Sequence, residues 1–168
     1  MTADKRLGVR VEVWPVAADS ASIWLVSGDD AWRSEDISVE PHAAVEHLLR
    51  THDAYRAVRL LHSPSWRIDG DSVVLTYVAI VEYAELVRDE WPDAAPVKTE
   101  VLEVVGKPLP HGPTEVPTPR YIDVLAHGLR HLRFLLDTDS ESRSAIDNTW
   151  RSHLTTFEPA LSGMYEHS

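Results

Sequence analysis

Residues 73–83 are VVLTYVAIVEY, an almost unbroken run of β-branched and other apolar side chains. Because this run leaves no polar face for water, it predicts a central strand that is buried on both sides. The turn Asp69-Gly70-Asp71 precedes it, and residues 58–66 before that turn also have strand character. Asp-Gly between two strand-forming runs favours a tight turn, so we expect the two runs to pair as a β-hairpin.

Two more strands are expected near the amino terminus. Val9, Val11 and Val13 alternate with Arg10 and Glu12, a period of two that is typical of a strand. We expect Pro15 to end this strand, because proline has no backbone N–H to donate. Residues 23–26 predict a second strand, which would pair with the first as a hairpin.

A helix is expected to follow the polar residues 29–39. It would begin at Glu40-Pro41, where an acidic residue and a proline are both favoured. At about 100° per residue, four apolar side chains share one face. They are Ala44, Val45, Leu48 and Leu49, and the other face carries Glu40, His47, Arg50 and Thr51.

The second half of the chain is expected to be mainly helical. A weaker strand over residues 101–105 precedes five prolines in residues 108–119, and these prolines predict an extended connector. Apolar stripes then predict helices over 120–136 and 141–157. We therefore expect an α/β (α+β) fold in which helices sandwich a mixed sheet. Its parts would be a sheet core (1–107), the connector (108–119) and a C-terminal helical pair packed on the same domain (120–168).

Composition restricts the partners. The formal net charge is −11, from 16 basic and 27 acidic residues, which disfavours nucleic acid because such binding depends on Lys and Arg. The chain has no cysteine, which excludes disulfides and thiolate sites and fits a reducing cytoplasm. Neither a signal segment nor a membrane span is expected. A small-molecule or protein ligand is the expected partner, and exposed His and Arg on the last helices favour a homodimer.

The predicted helix begins with Pro41-His42-Ala43-Ala44-Val45 and continues through Leu48 and Leu49. This pattern and the order of the elements around it resemble the Nudix hydrolase family over residues 8–105. That family carries the signature G-x5-E-x7-R-E-U-x-E-E-x-G-U, where U is a bulky aliphatic residue. The resemblance implies a Nudix-like mixed sheet and a helix whose glutamates bind Mg²⁺.

The signature itself is degenerate in this chain. With Leu48 at the aliphatic position, the family's glutamates are replaced by Ser38, His47, Arg50 and Thr51. Trp32 and Asp53 stand at the two glycines, and Glu46 stands at the arginine. The resemblance therefore implies a catalytically inactive domain, without catalytic residues or a metal site, that binds a nucleotide-related small molecule or a protein.

A divergent metal-dependent hydrolase of nucleoside diphosphate-linked substrates is the alternative. It would hold Mg²⁺ through Glu40, His47 and acids from another loop. The candidate acids in that loop are Glu82, Glu85, Asp89 and Glu90. The competing interpretation of Glu40 is a first-turn acid that only stabilises the helix dipole.

Aromatic residues supply the candidate ligand site. Trp24, Trp32 and Trp66 fall on or beside the elements that surround the substrate cleft in a Nudix-like fold, and Arg50 or Arg67 nearby would suit a stacked base. Each tryptophan also has the simpler interpretation of a core residue. The expected ligand-binding residues are Trp24, Trp32, Glu40, His47, Arg50, Trp66 and Arg67.

The histidines suggest a second kind of site. His127 and His131 are one helical turn apart, with Asp123 one turn earlier, which is a spacing used by zinc sites. The glutamate of H-E-x-x-H is missing, and this face lies opposite the apolar stripe, so we expect these residues to face solvent or an interface. His62 is expected to lie in the core or on a sheet face rather than act as a base.

Overall fold

The computed structural model describes residues 7–82, 91–97, 121–157 and 159. The strands in these residues are β1 (Gly8–Ala18), β2 (Ile23–Leu25), β3 (Trp32–Arg33), β4 (Val58–Asp69), β5 (Ser72–Val81) and β6 (Ala95–Pro96). The helices are α1 (Pro41–Thr51), α2 (Tyr121–Thr138), α3 (Ser140–Ala145) and α4 (Asn148–Leu154), with a 3-10 turn at Tyr55–Ala57. None of the described helices is long and apolar enough to span a membrane.

β5 lies inside a mixed sheet, as its sequence predicts. It pairs antiparallel with β4 across the Asp69–Ser72 turn and parallel with β1 over Gly8–Val16. The order in the described sheet is β4-β5-β1-β2-β6, and the short β3 also pairs with β1. The hairpins predicted for β1–β2 and β4–β5 are both confirmed.

The prediction that Pro15 ends the first strand is wrong. β1 continues through Pro15 to Ala18, and the Pro15 carbonyl accepts a hydrogen bond from the Val26 amide at 2.8 Å. On that edge β3 pairs with Glu12 and Val13 while β2 pairs from Val16 onward. The missing N–H of Pro15 therefore falls at the gap between two partner strands, where proline is tolerated.

Helices cover both faces of the sheet. The predicted apolar face of α1 packs on Val11, Val13 and Ala79. On the opposite face, α2, α4 and Ile146 after α3 pack on Trp14, Val16 and other residues of the sheet. Helices thus pack on both faces of the mixed sheet, as expected.

The second C-terminal helix is shorter than predicted and is divided in two. Asp139 caps α3 by accepting from the Ser142 amide at 3.1 Å, and Asp147 caps α4 by accepting from the Trp150 amide at 2.9 Å. Because aspartate competes for backbone N–H groups, Asp147 restarts the helix where the apolar stripe alone predicts continuity. The predicted strand at 101–105 and the connector at 108–119 lie outside the described residues.

Candidate functional site

Glu40 is the N-cap of α1. Its carboxylate accepts hydrogen bonds from the amides of His42 at 3.1 Å and Ala43 at 3.2 Å. These amides have no partner within the helix, so the carboxylate satisfies them and also interacts favourably with the helix dipole. The interpretation of Glu40 as an acid that stabilises the first turn of α1 therefore accounts for its position.

The solvent face of α1 carries no converging acids. His47, Arg50 and Thr51 are exposed, as expected from the register of the helix. The Arg50 guanidinium binds the Glu46 carboxylate at 2.9 Å and lies 3.9 Å from the centroid of the Tyr55 ring. Its hydrogen bond to Glu46 raises the pKa of Arg50. A cationic group is thus fixed on the face where the resemblance implies Mg²⁺.

α1 ends in a turn that requires a left-handed residue. Asp53 has φ 56°, its amide binds the Arg50 carbonyl at 3.1 Å, and the next amide, of Ala54, binds the Leu49 carbonyl at 2.8 Å. This is a Schellman ending, in which glycine is the usual residue at the left-handed position. With Leu48 at the aliphatic position of the Nudix signature, Asp53 stands at the final glycine of that signature.

Three tryptophans cluster beyond the carboxyl end of α1. Trp24 is buried, and Trp32 and Trp91 pack against the same apolar group at the edge of the sheet. The ring of Trp32 stacks on His52 with centroids 4.2 Å apart and an interplanar angle of 0°. Burial lowers the pKa of His52, which favours the neutral form of the stacked imidazole.

A cavity of about 370 Å³ adjoins this cluster, and we call it the Trp91 cavity. It is lined by Asp53, Arg56, Ala57, Glu82 and Trp91. It lies at the carboxyl end of β5, because the Glu82 amide binds the Ala57 carbonyl directly after that strand. In α/β sheets this end of the strands is a common place for ligands.

The charged groups of the Trp91 cavity differ in their surroundings. The Glu82 carboxylate forms an ion pair with Arg59. Arg56 is exposed, and within the described part of the chain its guanidinium has no hydrogen bond or ion pair. The cavity therefore combines an indole, an uncommitted cation and two carboxylates.

The expected ligand residues do not all come together. Trp24 and Trp32 meet in the tryptophan cluster. Trp66 is 63% exposed on β4, a strand that lies at an edge of the described sheet, away from that cluster. Arg67 lies on the opposite face of the sheet, where it binds Glu12 on β1.

Glu12 is the centre of a buried polar network. It is 0% exposed, and its carboxylate accepts from Arg67 at 2.8 Å and from Thr76 at 2.8 Å, with Arg33 and the Trp14 indole each at 3.3 Å. Burial by itself raises the pKa of Glu12, but the hydrogen bonds and charge of Arg67, with Thr76 and Trp14, outweigh it and lower the pKa. Arg67 is thus committed to holding a buried carboxylate.

The α2 face that carries Asp123, His127 and His131 is only partly described, because the side chains of Asp123 and His127 lie outside the described part of the structure. His131 is 4% exposed within this chain, so the expectation that it faces solvent or an interface is wrong. Its Nε2 lies 2.7 Å from Nε2 of His62, which is half-buried on β4 as expected. Among the described residues, no group of three His, Asp or Glu side chains is placed to hold a metal ion.

Sequence reasoning missed Trp91, Arg56 and Glu12. Trp91 precedes a proline in a region that has no periodic pattern, and Arg56 lies in a short turn, so neither gives a sequence signal. Glu12 lies at a polar position of an alternating strand, and this pattern does not distinguish a buried carboxylate from an exposed one. Searches against protein-family models, curated proteins and solved structures found no match for this chain.

Proposed function

We propose that this chain is a non-catalytic binding domain that holds a nucleotide-related small molecule in the Trp91 cavity. The observation that carries the proposal is the juxtaposition of Trp91, the uncommitted Arg56 and the carboxylates of Asp53 and Glu82 around about 370 Å³. This volume lies in the range of small-molecule sites.

A nucleotide has chemical groups that match each side chain. Its base would stack on the indole of Trp91, and its phosphate would bind the Arg56 guanidinium, which suits phosphate geometry. Hydroxyl or base N–H groups would donate to the carboxylates of Asp53 and Glu82. Trp32, held by its stack on His52, supports this site from the neighbouring cluster.

We further propose that the domain is Nudix-like but has lost the hydrolase site. The left-handed Asp53 supports this, because it occupies the position where the signature requires glycine. His47, Arg50 and Thr51 on the exposed face of α1 support the loss of activity, since a Mg²⁺ site needs several carboxylate oxygens.

The alternative of a relocated metal site is less well supported. Glu40 caps the first turn of α1, whereas Glu82 lies beyond its last turn. A helix of 11 residues is about 16 Å long, too far for two carboxylates to share one ion. Glu85, Asp89 and Glu90, the other candidate acids, lie outside the described residues.

Calorimetric titration would test the proposal with a panel of nucleoside monophosphates, diphosphates and diphosphate-linked compounds. We expect Arg56→Met to weaken binding by about tenfold or more, since hydrogen bonds to charged groups contribute about 1.5–3 kcal/mol. Arg10→Met is the matched control, because Arg10 pairs with Asp36 on the opposite face of the sheet. Failure of every compound to bind at millimolar concentration would overturn the proposal. So would Mg²⁺-dependent hydrolysis that Glu40→Gln abolishes.

We also propose a cytoplasmic location and a protein partner or homodimer. The lack of cysteine supports a cytoplasmic location. A protein partner or a homodimer is to be tested by sedimentation velocity of the full chain, where a concentration-dependent shift of the boundary would support the dimer.

A further inference from the structure

Two imidazoles join the sheet to the helical layer on the face away from the Trp91 cavity. Nε2 of His62 on β4 and Nε2 of His131 on α2 are 2.7 Å apart, and the ring centroids are 4.6 Å apart. This distance is that of a hydrogen bond, in which one nitrogen donates and the other accepts. An accepting imidazole nitrogen must be unprotonated, so the contact exists only while at least one ring is neutral.

The surroundings of the pair make a second proton costly. His131 is 4% exposed and also stacks on Phe134, with centroids 5.9 Å apart. From β5, the residue opposite His62 is the apolar Val78. Burial and then the charge of His131 lower the pKa of His62, while the Asp139 carboxylate after α2 acts in the opposite direction. Asp139 is thus a charged group in the described part of the chain that favours a proton on His62.

We propose that His62 and His131 form an acid-released latch that holds α2 on strand β4. In the closed state the two rings share one hydrogen bond. When both rings carry a proton, the acceptor is lost and two cations face each other across the interface, which favours separation of the elements that carry them. The latch acts on the helical layer and leaves the packing of α1 on the other face unchanged.

The direction of the pH effect follows from linkage. A histidine with a lowered pKa in the folded state contributes stability fully above its unfolded pKa of about 6.5, and this stability is lost as the pH falls below that value. Each unit by which folding lowers a pKa changes the unfolding equilibrium constant by about tenfold across that window. The loss should begin near pH 6.5.

The latch is tested by urea unfolding of the full chain between pH 8 and pH 5. In His131→Gln the amide can still bond to His62 but cannot become the second cation, so we expect a much weaker pH dependence than in the wild type. His42→Gln is the matched control, since His42 is exposed on α1, and it should keep the wild-type pH dependence. An equal pH dependence in His131→Gln and the wild type would overturn the proposal.

A second measurement uses the wild type alone, in case His131→Gln does not fold. Hydrogen exchange, corrected for the intrinsic effect of pH, should show α2 amides losing protection between pH 7.5 and pH 5.5 while α1 amides keep theirs. Nuclear magnetic resonance titration of the imidazoles should show His62 titrating below pH 6.5. Uniform loss of protection, or two independent titrations near pH 6.5, would contradict the latch.

Discussion

Replacing Arg67 by methionine should destabilise the protein severely, although Arg67 looks like a ligand residue in the sequence. Arg67 binds both carboxylate oxygens of Glu12, and Glu12 is completely buried. Removing one partner of a buried ion pair costs about 3–5 kcal/mol, because the remaining charge is left without compensation. Methionine keeps much of the apolar stem, so the loss reports mainly on the charge.

The other contacts of Glu12 place the expected cost at the lower end of that range. The Thr76 hydroxyl at 2.8 Å and the Arg33 guanidinium at 3.3 Å remain in the variant. Arg33 is 43% exposed, so its charge is partly screened by solvent and replaces only part of what Arg67 supplies. We expect a loss of about 3 kcal/mol, or roughly 6–12 °C in Tm for a domain of this size.

Urea unfolding followed by circular dichroism measures this effect, with Arg56→Met as the matched control. Arg56 is an exposed arginine without a partner in the described residues, so its replacement should change stability by less than about 0.5 kcal/mol. The double variant Glu12→Gln/Arg67→Met should recover part of the loss, because the stranded charge is gone. A loss below about 1 kcal/mol in Arg67→Met, or purely additive effects in the double variant, would refute the reasoning.

Three further predictions concern α1 and the buried carboxylate. Glu40→Ala should lower the free energy of unfolding by about 1 kcal/mol through loss of the N-cap, and Glu40→Asp should lower it much less. Equal losses for the two variants in unfolding experiments would show that the cap contributes nothing. Asp53→Val should be about 1–2 kcal/mol less stable than Asp53→Gly, because only glycine adopts the left-handed conformation without strain, and identical urea midpoints would contradict this. The pKa of Glu12 is lowered by folding, so the stabilisation by its carboxylate is present above about pH 4.3 and is lost as the pH falls through the folded pKa. Glu12→Gln should therefore lose less stability than the wild type between pH 5 and pH 3. A parallel decline of the two proteins would count against this prediction.

Much of the fold could be predicted from the sequence because local patterns agree with the tertiary arrangement. The apolar run predicted the central strand β5 because both of its faces pack against apolar clusters. The periodicity of α1 predicted the four residues that it buries. The end of β1 could not be predicted, since the tolerance of Pro15 depends on where two other strands begin. The break at Asp147 was missed because the apolar stripe continues across it.

The candidate site was less predictable than the fold. The sequence places Trp66 and Arg67 side by side, yet neighbouring residues of a strand point to opposite faces, and here those faces have different surroundings. The Trp91 cavity depends on a tertiary contact between the end of β5 and the turn after α1, and no sequence pattern marks it. The side chains on the solvent face of α1 were predictable, because helical spacing alone decides which residues share it.

The most direct test of the proposed function is a single experiment that measures binding and turnover together. A ³¹P nuclear magnetic resonance titration of a nucleoside diphosphate-linked compound with the full chain and Mg²⁺ would record both the phosphate shifts and any cleavage. We expect saturable shifts that Arg56→Met weakens by about tenfold or more, with no new phosphate signal over the course of the experiment. Appearance of cleavage products that depend on Mg²⁺ and on Glu40 would contradict a non-catalytic binding domain.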